Sequence, residues 1–258
     1  IMQPLAKALP PFGSWLGQVA LTKLLKNNQV VAVPAPTTRF QQDVSHHRVW
    51  DMVRFSLNDF KKIRVAVPGS TVNDVVLATV AGALKSYLED KGEGVDRSLP
   101  AICPINVRPE NEFETAGNRI SVFIAQLPLH LDDPLDRLKA IVRDTASAKE
   151  LSNAIGAKEL ADINKITPPV TLALVSQLAS SFGSFAKNQA KKAAATVVTN
   201  VPGPQQPLYL LGARLVNFSG VGPILNGMGL FHAIASYDGK IGISITSCRD
   251  MMADPHFY

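Results

Sequence analysis

The dipeptide Asp238-Gly239 lies between two runs of residues that favour β-strands, Leu230–Tyr237 and Lys240–Ser247. A two-residue hairpin loop of type I′ needs positive φ at both loop positions, and Asp-Gly is among the sequences that adopt this conformation most readily. β-Branched and aromatic residues recur in both runs. These features predict an antiparallel hairpin, and therefore an antiparallel element in any sheet that the chain forms.

The rest of the chain alternates predicted strands with helical patterns. One helix is predicted over residues 71–90, and Asp133-Pro134 and Thr167-Pro168 each begin another, the last running toward Lys187. The run Arg119–Leu127 has apolar residues on both faces, which predicts a strand buried on both sides. The other predicted strands are Val49–Phe55, Ala101–Val107, Thr196–Val201 and Ala213–Phe218. A hairpin combined with helical crossovers predicts an α/β fold with a mixed β-sheet covered by helices.

Two domains of unequal size are predicted. Residues 1–48 contain the extended, proline-rich stretch VPAPTTR and a short amphipathic helix after Pro10 and Pro11, and we expect them to form a crossover arm. Residues 49–258 contain the predicted sheet and form the main domain. The chain starts at Ile1 without a signal-peptide pattern, so we expect it to begin in the middle of a longer protein.

Composition excludes several classes of protein. No stretch of about 18 uninterrupted apolar residues is present, which argues against a bilayer-spanning helix. Cys103 and Cys248 form no CxxC pair, so neither a zinc site nor a disulfide framework is expected. The net charge of +5 includes one basic cluster, AKNQAKKAAA, without the interleaved aromatic residues of a nucleic-acid site. We expect a cytoplasmic protein that contacts membranes only from their surface.

The start of the predicted 71–90 helix carries Asn73 and Asp74 after Ser70, which we expect to be the N-cap. Backbone N–H groups in the first helical turn have no partner within the helix, and the helix dipole is positive there. Asn73 and Asp74 therefore have two interpretations. They satisfy the helix end, or the amide of Asn73 binds a polar ligand above it.

A rigid turn follows the predicted strand at 196–201. Prolines fix φ and donate no hydrogen bond, and Gly203 allows another backbone or a ligand to approach closely. A structural strand end and a ligand-contacting loop are both consistent with this pattern. The turn consists of Asn200, Val201, Pro202, Gly203 and Pro204.

Four strings, in order along the chain, resemble motifs of the bacterial wax ester synthase/diacylglycerol acyltransferase (WS/DGAT) family. They are PGSTVNDVVLATVAGAL at 68–84, PINVRPENEFETAGNRISVFIAQLPL at 104–129, TNVPGP at 199–204 and PLYLLGARL at 207–215. The resemblance extends from about Arg48 to the end of the chain. It implies the chloramphenicol acetyltransferase-like fold, in which two similar α/β domains enclose a channel, and it identifies this chain with the carboxyl-terminal half.

The resemblance also implies a reaction, the transfer of a fatty acyl group from acyl-CoA to a long-chain alcohol or diacylglycerol. Acyl-CoA is then a substrate, and no cofactor is expected. Asn73 and Asp74 would support catalysis, while residues 200–204 would line the channel. Gly227 and Gly229 would leave room for an acyl chain, or are only loop glycines.

The general base of the family is a histidine in an HHxxxDG motif, which belongs to the amino-terminal half. We therefore expect that half as a partner, peripheral contact with the inner membrane or lipid droplets, and no activity from this chain alone. His46-His47 and Asp51 have the HHxxxD spacing, but the spacing ends at Asp51, only 22 positions before Asn73, and the string opens a predicted strand, so we do not assign it as the base. His232 lies in an apolar strand and is interpreted as a core residue.

Two other functions fit the sequence. One is a non-catalytic lipid-binding half. The other is a related CoA-dependent alcohol acyltransferase or a condensation-type domain, since these share the architecture.

Overall fold

The computed structural model describes residues 36–106, 120–154 and 194–258. Residues 35–258 form one compact unit. The described α-helices are α1 (Leu57–Val65), α2 (Val72–Asp90) and α3 (Pro134–Ala154), and a 3-10 helix spans Arg39–Gln41. The strands are β1 (Arg48–Ser56), β2 (Ser98–Asn106), β3 (Ile120–Pro128), β4 (Thr196–Pro202), β5 (Tyr209–Leu210), β6 (Ala213–Arg214), β7 (Leu230–Tyr237) and β8 (Lys240–Cys248).

Six strands form a mixed sheet in the order β1-β8-β7-β4-β2-β3. β7 lies between its antiparallel hairpin partner β8 and the parallel strand β4, which in turn runs parallel to β2. Asp238 and Gly239 both adopt positive φ, at 46° and 72°, which confirms the predicted hairpin loop. The predicted mixed sheet is therefore confirmed, and β4 and β7 end at the same edge of it.

The core lies between the sheet and its helices. On α2, apolar side chains recur with helical spacing and are buried, among them Val76, Leu84 and Leu88. β8 contributes Ile241, Ile243 and Ile245, which share one face because side chains alternate along a strand, and the opposite face of β8 is buried as well. Removing such side chains from water is the main contribution to stability in a domain of this kind.

α3 begins as predicted. Oδ1 of Asp133 accepts hydrogen bonds from the backbone N–H groups of Leu135 and Asp136, at 2.8 and 2.9 Å. Further along this helix the Asp144 carboxylate accepts a hydrogen bond from the backbone N–H of Gln126 in β3, at 2.8 Å. Through this hydrogen bond α3 satisfies one backbone donor of a strand at the edge of the sheet. Burial raises the pKa of Asp144.

Three predictions about local structure are wrong. The N-cap of α2 is Thr71 rather than Ser70, because the Asp74 side chain, three residues after Thr71, completes a capping box with it. β3 is an edge strand whose outer face exposes Ile124 by 49%, so it is not buried on both sides. The strand predicted at Ala213–Phe218 ends at Arg214, and the residues after it form a loop that crosses the sheet.

Two predicted helices lie outside the described residues, and one observed α-helix has no counterpart among the predictions. The helix predicted from Thr167-Pro168 and the amphipathic helix of the arm are outside the described ranges. α1 was not predicted from the sequence. The boundary at residue 48 stays a prediction, although Phe40 is fully buried and stacks on Tyr87 at 6.1 Å.

Candidate functional site

The start of α2 is held by a capping box that includes Asp74. Oδ2 of Asp74 accepts hydrogen bonds from the backbone N–H and the hydroxyl of Thr71, at 2.8 and 2.7 Å, and Oδ1 accepts the hydroxyl of Thr145 at 2.8 Å. The carboxylate is buried. Its oxygens are thus occupied by three donors within the fold, so Asp74 orients the helix start and ties it to α3.

Asn73, one residue before Asp74, is half-buried and meets the predicted NVPGP turn. Nδ2 of Asn200 in β4 donates to Oδ1 of Asn73 at 3.4 Å. In the part of the chain that the structure describes, the amide nitrogen of Asn73 and the amide oxygen of Asn200 have no further partner. The pair therefore retains donor N–H groups on Asn73 and an acceptor oxygen on Asn200. These groups can hydrogen-bond a ligand that carries a hydroxyl or carbonyl group.

The NVPGP turn presents different residues to the two faces of the sheet. Because side chains alternate along a strand, Val201 points away from the face that carries Asn200. Val201, Pro202 and Pro204 are exposed, whereas Gly203 is half-buried. Asn200 is thus the only residue of the predicted turn whose side chain bonds to Asn73 within the described ranges.

At Gly203 the backbone of the turn passes so close to β7 that a residue with a Cβ atom does not fit. A Cβ atom at this position would lie 2.2 Å from the carbonyl oxygen of Ser236. The backbone N–H of Gly203 also donates to Oγ of Ser236 at 3.2 Å. The structure therefore explains Gly203 by backbone packing, one of the two interpretations that the sequence allowed.

Gln205 was missed by the sequence interpretation, and it connects the turn to the β7–β8 hairpin. Its Nε2 donates to the carbonyl of Gly203 and to Oγ of Ser236, at 2.8 and 3.1 Å. Its Oε1 accepts the backbone N–H of Gly239 at 3.2 Å. Its position one residue beyond the NVPGP string was the only available signal. The hairpin loop thus helps to fix the turn that carries Asn200.

Gly227 and Gly229 lie before β7, at the opposite end of that strand from the NVPGP turn. Gly227 has a φ of 83°. A Cβ atom at Gly229 would lie 2.1 Å from Sδ of Met251, and the backbone N–H of Gly229 donates to the carbonyl of Phe40 at 2.7 Å. Side chain and backbone thus fill the space beside Gly229. A role for these glycines with an acyl chain stays a prediction, and the structure does not bring them to the Asn73–Asn200 pair.

His232 is confirmed as a core residue. Its Nδ1 lies 2.9 Å from Oγ1 of Thr196 and its Nε2 lies 2.7 Å from the hydroxyl of Tyr258. Complete burial lowers the pKa of His232 to about 4. The ring is neutral and satisfied at both nitrogens, so it does not act as a base for an external substrate.

The HHxxxD-like string leads into β1, an edge strand that β8 and β7 separate from β4. His46 and His47 are exposed just before β1. The carboxylate of Asp51 lies 3.3 Å from Nδ1 of His256. The described residues contain no group of three or more His, Cys, Asp or Glu side chains placed to hold a metal ion.

The family model of the WS/DGAT C-terminal domain matches residues 116–258. The chain belongs to the WS/DGAT family. The matched region includes β4, with Asn200, and the β7–β8 hairpin that anchors it.

Curated members of the WS/DGAT family resemble nearly the whole chain. O-acyltransferase WSD of Acinetobacter baylyi is 30% identical over 248 residues, which are 95% of this chain and 52% of that protein. A putative diacylglycerol O-acyltransferase of Mycobacterium tuberculosis is 31% identical over 230 residues, which are 89% of this chain and 44% of that protein. The chain thus spans about half the length of the curated relatives it matches.

Solved structures agree with the WS/DGAT assignment. The wax ester synthase/diacylglycerol acyltransferase from Marinobacter aquaeolei VT8 matches with a TM-score of 0.66 and 26% identity, over 91% of this chain and 51% of that one. The starter condensation domain of rhizomide synthetase matches with a TM-score of 0.51 and 13% identity, over 91% of this chain and 47% of that one, which indicates a shared fold. The chloramphenicol acetyltransferase-like fold expected from the sequence is confirmed. No helix among the described residues is long and apolar enough to cross a bilayer.

Proposed function

We propose that this chain is the carboxyl-terminal half of an O-acyltransferase that transfers a fatty acyl group from acyl-CoA to a long-chain alcohol or diacylglycerol. The hydrogen bond between Asn73 and Asn200 carries the proposal. It joins the two motifs that the sequence predicted for the site, one at a helix start and one at a strand end. The names of the relatives, which are O-acyltransferases, support the same reaction class.

The two amides are suited to positioning and polarisation. In the proposed reaction the acceptor hydroxyl oxygen attacks the thioester carbonyl carbon, and the carbon–sulfur bond breaks to release CoA. The free N–H groups of Asn73 would donate to the hydroxyl oxygen or to the carbonyl oxygen, where negative charge develops. The free oxygen of Asn200 would accept a hydrogen bond from the hydroxyl of the acceptor as it binds and so orient it, and the hydroxyl would turn to the base before it attacks. Asp74 would act indirectly, by fixing the turn that presents Asn73.

Neither amide can take the proton that the hydroxyl loses, because an amide does not titrate near neutral pH. His232 is buried and bonded at both nitrogens. We therefore assign the base to a histidine of an amino-terminal half, which would accept the proton and return it to the leaving thiolate of CoA. On this proposal the chain alone is inactive, acyl-CoA is a substrate, and no cofactor takes part.

The proposed substrates place the enzyme at a lipid surface. Long-chain alcohols and diacylglycerols partition into membranes and lipid droplets, so an enzyme that uses them works as a peripheral protein on the cytoplasmic side. The partners on this proposal are the amino-terminal half, acyl-CoA and the lipid acceptor.

The test is an acyl-transfer assay with the full-length enzyme. Palmitoyl-CoA with hexadecanol or dipalmitoylglycerol should release thiol and yield wax ester or triacylglycerol, and acetyl-CoA should be a poor donor. Lipid binding without thiol release from either donor would indicate a non-catalytic lipid-binding protein. Preference for acetyl-CoA would indicate a different alcohol acyltransferase. Acyl transfer by the 258-residue chain alone would contradict the assignment of the base.

A further inference from the structure

Thr145, in the middle of α3, is a polar residue that is almost completely buried. Only 2% of it is exposed. Its hydroxyl donates to Oδ1 of Asp74 in the first turn of α2 at 2.8 Å, whereas the carbonyl of Val142 in its own helix is farther away, at 3.3 Å. A threonine within a helix ordinarily satisfies its hydroxyl on a carbonyl of the preceding turn. Thr145 instead makes its shorter hydrogen bond to another helix.

This hydrogen bond reaches the residue next to Asn73. The Asp74 carboxylate also accepts the backbone N–H and the hydroxyl of Thr71, which belong to the same helix start. Within the described ranges, Thr145 is the only donor to this carboxylate from another element of the fold. Thr71 therefore closes the turn locally, and Thr145 connects the turn to α3.

A second contact holds α3 along α2. At Gly82 an added Cβ atom would lie 2.8 Å from Nη1 of Arg137, so the Arg137 side chain packs directly on the α2 backbone. Arg137 is buried, and its Nη2 donates to the carbonyl of Leu131 at 2.8 Å. Thr145 lies eight residues after Arg137, and Asp74 lies eight residues before Gly82. The two contacts are therefore about 12 Å apart on each helix, and the helices run side by side in opposite directions.

α3 is also bonded to the sheet that carries Asn200. Asp144, the residue before Thr145, accepts the backbone N–H of Gln126 in β3 at 2.8 Å. β3 pairs with β2, and β2 pairs with β4, where Asn200 stands. Neighbouring residues of α3 thus bond to the edge of the sheet and to the start of α2. Through them α3 helps to set the position of the α2 start relative to the sheet.

We infer that Thr145 is a positioning residue for the Asn73–Asn200 pair and acts on it through Asp74. This inference rests on the proposed function. The hydrogen bond between the two amides is long, at 3.4 Å, so a small movement of the α2 start breaks it. Misplacement of a reacting or orienting group by about 1 Å can lower a rate by about 100-fold. The Thr145 hydroxyl therefore affects turnover although it touches neither amide.

The test measures kcat of full-length enzyme variants with palmitoyl-CoA and hexadecanol. Thr145→Val keeps the shape of the side chain, removes the hydroxyl and should lower kcat by about tenfold. Thr145→Ser keeps the hydroxyl and should retain most of the wild-type kcat. In an Asn73→Ala background, Thr145→Val should lower kcat by less than about twofold more, because the group that it positions is already gone.

The matched control is Thr79→Val in α2. The Thr79 hydroxyl donates to the carbonyl of Val75 in the same helix at 2.9 Å and does not contact Asp74. Thr79→Val should therefore keep wild-type turnover. Thermal unfolding of each variant checks that the fold is retained.

Hydrogen exchange followed by mass spectrometry gives a readout that does not depend on activity. Thr145→Val should speed exchange of the backbone amides of residues 74–77 by about fivefold or more, because the helix start loses its bond to α3. Thr79→Val should leave these amides at the wild-type rate.

Several results would overturn the inference. They are equal kcat in Thr145→Val and Thr145→Ser, a full further loss in the Asn73→Ala background, and wild-type exchange in Thr145→Val. Unfolding of Thr145→Val would also overturn it, because the hydroxyl would then serve the stability of the whole fold. An inactive wild-type enzyme would refute the proposed function instead, and the exchange rates would still decide whether Thr145 fixes the start of α2.

Discussion

The amide of Asn200 donates a hydrogen bond to the amide oxygen of Asn73 across a separation of 127 residues in the chain. One residue stands in the first turn of α2 and the other near the end of β4. Among the described residues, each side chain keeps part of its hydrogen-bonding capacity. The two motifs that the sequence singled out separately therefore form one polar pair.

The first prediction concerns this pair. Asn73→Ala and Asn200→Ala in the full-length enzyme should each lower turnover by about 10- to 100-fold, because each removes a group that orients or polarises the reacting atoms. The double variant should lose little more than either single variant, since residues that act as a unit have non-additive effects.

Steady-state kinetics with palmitoyl-CoA and hexadecanol measures these effects. Asn58→Ala, in the first turn of α1, is the matched control and should keep wild-type turnover. Unchanged turnover in Asn73→Ala, or fully additive losses in the double variant, would remove the pair from the site.

The second prediction concerns Asp74, whose buried carboxylate accepts three hydrogen bonds. Asp74→Ala should lower the free energy of unfolding by about 3 kcal/mol, because buried donors on Thr71 and Thr145 lose their acceptor. Urea denaturation of the 258-residue chain measures this change. Asp59→Ala removes an exposed carboxylate from the first turn of α1 and should cost less than about 0.5 kcal/mol. Equal costs for the two variants would contradict the structural role of Asp74.

The third prediction concerns Gly203. Gly203→Ala places a Cβ atom 2.2 Å from the carbonyl oxygen of Ser236. Either β4 shifts, or the steric clash remains and destabilises the folded chain. We expect a loss of about 1–3 kcal/mol in the free energy of unfolding and lower turnover, because Asn200 moves with the strand. At Gly94 the nearest atom to an added Cβ is 4.0 Å away, so Gly94→Ala should cost nothing measurable. A stable, fully active Gly203→Ala variant would rule out the close approach.

The fourth prediction is a dependence of stability on pH through His232. Burial lowers its pKa from the ordinary 6.5 to about 4 in the folded protein, so the unfolded chain binds the proton more tightly. Its contribution to stability is therefore complete above about pH 6.5 and is lost as the pH falls toward 4. The loss over this window should be on the order of 3 kcal/mol.

Urea denaturation at a series of pH values between 7.5 and 4 measures this dependence. His232→Gln should flatten the curve, and His46→Gln, which removes an exposed histidine just before β1, is the matched control. A wild-type slope retained in His232→Gln would show that other groups cause the dependence.

Local chemistry explains which elements were predicted correctly. Asp238-Gly239 and Asp133-Pro134 act through the backbone of their immediate neighbours, and both elements form as expected. The segment after Arg214 has the composition of a strand, but its carbonyl groups accept hydrogen bonds from side chains of β1 and β8 instead. Ser70 and Thr71 are both good N-caps, and the choice between them depended on Asp74 at the third helical position.

The sequence by itself determined the family, the mixed sheet, the β7–β8 hairpin and the NVPGP turn, because each rests on short runs of residues. Tertiary structure alone decided that Asn73 meets Asn200 and that Gly227 and Gly229 lie at the end of β7 that is remote from the NVPGP turn. These relationships depend on strand order and on the register between β4 and β7. β4 and β7 are distant in the chain and no tight turn joins them, so no local pattern specifies how they pair.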